Sequence, residues 1–181
     1  MASIIVCPDG CDVELPELKM EECNPDVDFS EVNKIYFTNV DFPLTNWHEV
    51  TEWNGRLSND SVAINAIRYM HVAGDKPPAE SNETKISLCR TFYSEKDHTL
   101  NFDIDETSPM NNEAMRELEC GGELMVWYAT ENYLYGGNWG VRATVVINDN
   151  ITRGCTELNT IQGQFKWQSR HHPEKIVNPL F

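Results

Sequence analysis

TLNFDIDETSPMNNEAMRELECGGELMVWYATENYLYGGNWGVRATVVI, residues 99–147, is the stretch from which the fold is read. Leu100, Phe102 and Ile104 alternate with Asn101, Asp103 and Asp105, the period of a strand with one buried and one wet face. Ser108 then offers an N-cap, Pro109 suits a first helical position, and Ala114, Met115 and Leu118 share one helical face before Gly121 and Gly122 end the element. Residues 124–130 are apolar on both faces, Gly136 and Gly137 supply a turn, and Val141, Ala143, Val145 and Ile147 alternate again. Trp127 and Tyr128 point to opposite faces of their strand, so at least one belongs to a core.

Working outward, residues 32–40 predict the first strand of the body, with Ile35 and Phe37 alternating with Lys34, Tyr36 and Thr38, and Pro43 closing it. Thr45 is a candidate N-cap, Gly55 a candidate C-cap, and Trp47, Val50 and Trp53 fall roughly along one side of a short helix between them. Residues 62–72 alternate loosely and change phase near Ala66, which predicts a bulge or a strand starting there. Residues 74–84, with Pro77 and Pro78, predict an exposed loop; 86–93 a strand; and 94–98 a polar turn leading into Thr99. Asn148, Asp149 and Asn150 are turn chemistry, and Ile161, Phe165 and Trp167 form a last strand in which Gly163 marks close backbone approach. The count, roughly six or seven strands and two short helices, predicts a mainly β chain: a β-sandwich or β-barrel with one or two short flanking helices. Residues 1–30, broken by Pro8, Gly10, Pro16 and Pro25 and dense in Asp and Glu, read as an extended arm. Residues 31–181 form one β-rich domain, whose tail leaves the body from about residue 171.

The 181 residues carry 29 Asp and Glu against 14 Lys and Arg, a formal charge of −15. Gripping nucleic acid needs clustered cations to neutralise phosphate, so this balance excludes a general DNA-binding surface. It does suit a wall along which a polyanion slides without sticking. No run approaches the ~18 apolar residues of a membrane span. The short apolar start lacks a basic flank, so it is not read as a secretory signal.

Chemical motifs are sparse. Cys7 and Cys11 have the spacing of a close zinc-ligand pair, but Cys23 follows with no second close pair, so no metal is assigned and three small thiols under an arm are the reading. Asp103, Asp105 and Glu106 resemble the start of a calcium loop without its glycine, and alternation explains them as the wet face of a strand. There is no nucleophile elbow, phosphate loop or His-Glu-x-x-His, and Cys89, Cys120 and Cys155 lie in or beside strand and helix patterns. A glycosidase pair in so acidic a chain lacks any neighbour that would separate two carboxyl pKa values. No catalytic residue and no cofactor are expected. Trp139, Tyr133 and Tyr135 are the candidate interface residues, because Trp and Tyr are enriched where subunits meet; alternatively they form an aromatic platform of a sugar-binding β-sandwich module.

The order of these pieces is distinctive: an acidic strand end, a Pro109-led helix, Gly121-Gly122, Leu124-Met125-Val126-Trp127-Tyr128, Tyr135-Gly136-Gly137, a Val-rich strand, and Gly163-x-Phe165-x-Trp167. It resembles the tail-tube type of virion protein of tailed bacteriophages, in particular small tail or neck proteins of crAss-like phages infecting gut bacteria, over about residues 32–178. The resemblance implies a sandwich or barrel flanked by a helix, made in the bacterial cytoplasm and carried in the virion. It further implies copies joined side by side into a ring whose acidic bore passes DNA, neighbouring tail or neck proteins as partners, and no catalytic residues. The cysteine-bearing acidic arm departs from that pattern, and a clasp onto the next subunit or ring is its expected role.

Overall fold

A computed structural model describes residues 31–87, 90–150 and 159–180, with backbone alone for 82–87, 90–94, 149 and 150. The arm, with Cys7, Cys11 and Cys23, lies outside the described residues, as do Cys89 and Cys155. The strands are β1 (Val32–Asn39), β2 (Arg68–Asp75), β3 (Glu80–Ser87), β4 (Arg90–Ile104), β5 (Glu123–Ala129), β6 (Tyr133–Tyr135), β7 (Val141–Asn150), β8 (Thr160–Ser169) and β9 (Lys175–Val177); the helices are α1 (Val50–Arg56) and α2 (Pro109–Cys120). All strand pairings are antiparallel, so the mainly β class holds.

The sheet closes on itself. It runs β1, β2, β4, β8, β7, β5, and β5 pairs back onto β1 with Ile35 opposite Tyr128 and Phe37 opposite Val126. Barrel diameter grows with strand number, so six strands around one axis enclose a narrow interior. Here it is filled by one row from each strand, including Ile35, Met70, Leu100, Phe102, Val126, Ala143 and Phe165. Alternation in the sequence identified most of that row, because each wall strand turns every second residue inward.

The two mouths differ. At one, α2 crosses from the end of β4 to the start of β5 and sets Met115 and Leu118 on the core. Ser108 Oγ accepts the Asn111 N–H at 3.3 Å, and the Gly121 N–H bonds the Leu118 carbonyl, as the start and stop signals predict. Beyond Thr144, β7 outruns β5, and Glu119 Oε1 takes up the Ile147 N–H at 2.7 Å. The other mouth is plugged by Trp167, which stacks on His98 at 5.2 Å and lies 6.3 Å from Tyr128.

A second apolar cluster lies outside the barrel on β1 and β5. Tyr36, Met125 and Trp127 face outward and are covered by Leu44, Trp47, Trp53, Ile67 and Leu134. Hence Trp127 and Tyr128 are both buried, on opposite faces of one strand, and Tyr36 and Thr38 are buried although they alternate with core residues.

Several expectations are corrected. The loop expected at 74–84 is limited to residues 76–79, between β2 and β3; the single strand expected at 86–93 falls partly in β3 and partly in β4; and the polar turn expected at 94–98 is the interior of β4, with Lys96 opposite Ser169 and His98 opposite Trp167. Asn148 to Asn150 continue β7 opposite Gln162 to Thr160. These segments carry little or no apolar alternation; their neighbours' main chains hold them extended. Thr45 is no cap: its N–H and that of Asn46 donate to the Glu52 carboxylate at 2.7 and 2.8 Å, and α1 starts at Val50 without a capping side chain. Gly55 is interior to α1, which ends at Arg56 with Leu57 as its C-cap, and Arg56 donates to three carbonyls. The tail expected to leave at 171 turns back as β9 along β6, and buried Asn178 donates its backbone N–H to the Asn132 carbonyl at 2.8 Å.

His98 yields a pH prediction. Its Nε2 sits 3.3 Å from the Ser169 carbonyl, which assigns the proton there, and its buried Nδ1 has no partner among the described residues. Burial first, then the charge of Lys76, hold the imidazole below its ordinary 6.5, with Lys96 adding to the effect and the Ser169 carbonyl and Asp97 opposing it. A folded value below the unfolded one means the native state binds fewer protons, so stability is lost as pH falls through 6.5 toward the lowered value. Between about pH 7.5 and 5.5 the melting temperature of the wild type should fall more than that of His98→Phe. Parallel curves in differential scanning calorimetry would refute this.

Candidate functional site

Two segments flank the α2 mouth: residues 59–66 on one side and the exposed face of α2 on the other. Between them lies a groove of ≈ 1080 Å³ with Phe37, Ile104 and Leu124 among its lining residues.

The 59–66 wall is held by side-chain hydrogen bonds. Arg56 donates to the carbonyls of Phe42, Pro43 and Asn65 at 2.6, 3.0 and 2.9 Å, tying this loop at Asn65 and the 42–43 segment to α1. Asn59 bonds both backbone groups of Tyr69, giving 3.1 Å to its carbonyl and accepting its N–H at 2.9 Å. The Thr38 hydroxyl donates to the Ala66 carbonyl at 2.8 Å. Burial raises the Glu52 carboxyl, but the N–H groups of Thr45 and Asn46 and the charge of Arg56 outweigh it, so Glu52 stays ionised and keeps the α1 end of the clamp in place.

From this pinned loop Val62 and Ile64 project into water, 102% and 72% exposed, and across the groove Met110 on α2 is 78% exposed. Single exposed apolar residues are ordinary, but three around one concave, apolar-floored groove mark an interaction surface. Asp60, Asp105, Glu106, Glu117 and Glu123 also line it, against Arg68 and His71. An apolar floor with more carboxylates than cations around it suits an apolar segment and disfavours an anionic one.

The residues singled out from sequence sit elsewhere. Tyr133 and Tyr135 share one face of β6, but Tyr135 stacks on Tyr128 at 4.9 Å and the Lys175 ammonium lies 3.4 Å from the Tyr133 ring centre. Trp139 is 51% exposed in the turn before β7. Its neighbour Asn138 holds the 44–47 segment, accepting the N–H groups of Leu44 and Trp47 at 2.9 Å each. Asp103 and Asp105 are on the wet side, as alternation predicts, and Cys120 is an exposed free thiol at the end of α2. Among the described residues no three His, Cys, Asp or Glu side chains gather as a metal site, and no helix is long and apolar enough to cross a membrane. Sequence reasoning missed the groove. The phase change near Ala66 was its one local signal, because it sets the apolar Val62 and Ile64 apart from the strand that follows.

A second unsatisfied feature lies on the barrel wall. β4 pairs β8 from Lys96 onward, but residues 90–95 have β3 as their partner, so the β3–β4 ribbon extends past the wall. Among the described residues β3 pairs with β4 alone, leaving its outer edge open. No protein-family model matches the chain, and no curated protein matches it.

Proposed function

We propose that this chain is a non-enzymatic structural subunit that joins copies of itself into a ring of a phage tail or neck, stacked on neighbouring tail or neck proteins, with DNA passing through the lumen without sequence-specific binding. The observation that carries this reading is the outer edge of β3, whose main-chain donors and acceptors face no partner strand among the described residues and lie beyond a closed barrel. A barrel has no edges of its own, and an open strand kept on one is a template for pairing with another chain. Repeated with a fixed rotation, such a heterologous contact closes into a ring. The barrel interior is packed, so the bore belongs between copies, and the net charge of −15 lets DNA move past without adhering.

Proline tests it. Successive N–H groups along a strand point to opposite edges, so of Thr84→Pro and Lys85→Pro one removes an outward donor of β3 and the other breaks its ladder to β4. The outward variant should stay folded by circular dichroism yet lose ring assembly at least tenfold in sedimentation and negative-stain microscopy. A wild type that is a monomer at all concentrations, or two variants that both assemble normally, would overturn the reading.

A further inference from the structure

The groove beside α2 needs an occupant, and the chain carries a segment with the matching chemistry. We infer that it receives residues 3–7, Ser-Ile-Ile-Val-Cys, from the arm of another copy of this chain. The inference rests on the ring reading and adds the contact that links one copy to the next along the barrel axis.

Three observations support it. The first is charge. Asp and Glu recur throughout the arm from Asp9 onward, whereas residues 1–8 hold no charged side chain and contain the one three-residue apolar run of the arm, Ile4-Ile5-Val6. A groove with an apolar floor and carboxylates such as Asp60, Asp105 and Glu117 around it accepts that run and repels the rest. The second is polarity. The arm joins the body at Val32, opposite Gly74 at the Trp167 end of the barrel, while the other end of the same strand, Phe37 to Asn39, lines the groove. The eight residues of β1 separate the two by about 25 Å. An arm leaving one end and a groove at the other make a head-to-tail pair between stacked copies. The third is reach. Residues 8–31 span up to about 80 Å extended, several times the barrel height. The locked 59–66 loop also means that little ordering cost falls on the groove side when the segment docks.

The test uses the full chain with the photo-crosslinking residue p-benzoylphenylalanine in place of Ile5, mixed with an equal amount of isotope-labelled wild type, irradiated and mapped by mass spectrometry, with sizing and negative-stain images of the same sample. The expected result is crosslinks between copies from position 5 to residues 60–64 and 110–118. They should fall at least tenfold when the labelled partner carries Val62→Asp and Met110→Asp, two exposed positions whose replacement leaves the fold intact. Crosslinks confined within one chain, crosslinks to other surfaces, or yields unchanged by the double substitution each overturn the inference. Rings without these crosslinks would remove the arm contact and leave the ring reading standing; an absence of rings would remove the ring reading itself.

Discussion

Gly163→Ala is expected to cost about 3 kcal/mol, and Gly163→Val to leave the chain unable to fold. Gly163 lies on β8 opposite Phe102 of β4 and Ile147 of β7, inside the barrel wall. A Cβ there would stand 2.6 and 2.7 Å from the two Cε atoms of Phe102 and closer still to its Cζ. Relief would require the ring to move. Phe102 is 2% exposed and packs on Phe165 at 5.2 Å, so its displacement disturbs a core already at crystal-like density. The upper part of the usual range for overpacking is therefore appropriate. Urea unfolding at neutral pH measures it. Combining Gly163→Ala with Phe102→Leu should cost less than the sum of the two single changes, since the smaller side chain frees the space. A Gly163→Ala protein within about 0.5 kcal/mol of wild type would show that the ring does not lie across this residue.

Trp53→Ala should cost about 4 kcal/mol, and its effect should be regional. Trp53 is fully buried, its Nε1 donates to the Trp47 carbonyl at 2.9 Å, and its ring meets Tyr36 and Trp127 edge-on at 5.3 and 5.4 Å. Truncation removes that contact area and leaves a buried carbonyl without its donor. A helix of seven residues with no capping side chain does not persist on propensity, and Trp53 is the one buried residue that anchors α1 to the apolar cluster. Because the outer cluster is separate from the barrel interior, hydrogen exchange should quicken across α1 and the 59–66 loop that Arg56 holds, while β4 and β8 keep their protection. Trp53→Phe, which retains the aromatic packing but not the donor, should cost about 2 kcal/mol. Uniform loss of protection through the barrel in Trp53→Ala would show that the two clusters unfold as one.

The sequence alone determined the elements that have one wet and one buried face or a chemical stop. Leu100, Phe102 and Ile104; Val141 to Ile147; and Ile161 to Trp167 announce wall strands because alternation reports burial residue by residue. Ser108, Pro109 and Gly121 delimit α2 because capping is local chemistry, and Gly163 is conspicuous because a strand interior keeps a glycine where something presses on it. Only the tertiary structure decided what those strands do together. Closure of β5 onto β1, the polar start of β3, residues 94–98 of β4, the continuation of β7 through Asn150, and the return of β9 all rest on main-chain bonds to neighbouring strands, which leave no period in the side chains. The groove beside α2 belongs to the same class: Val62, Ile64 and Met110 are unremarkable apart, and become a surface because Arg56, Asn59 and α2 bring them to the rim of one barrel mouth.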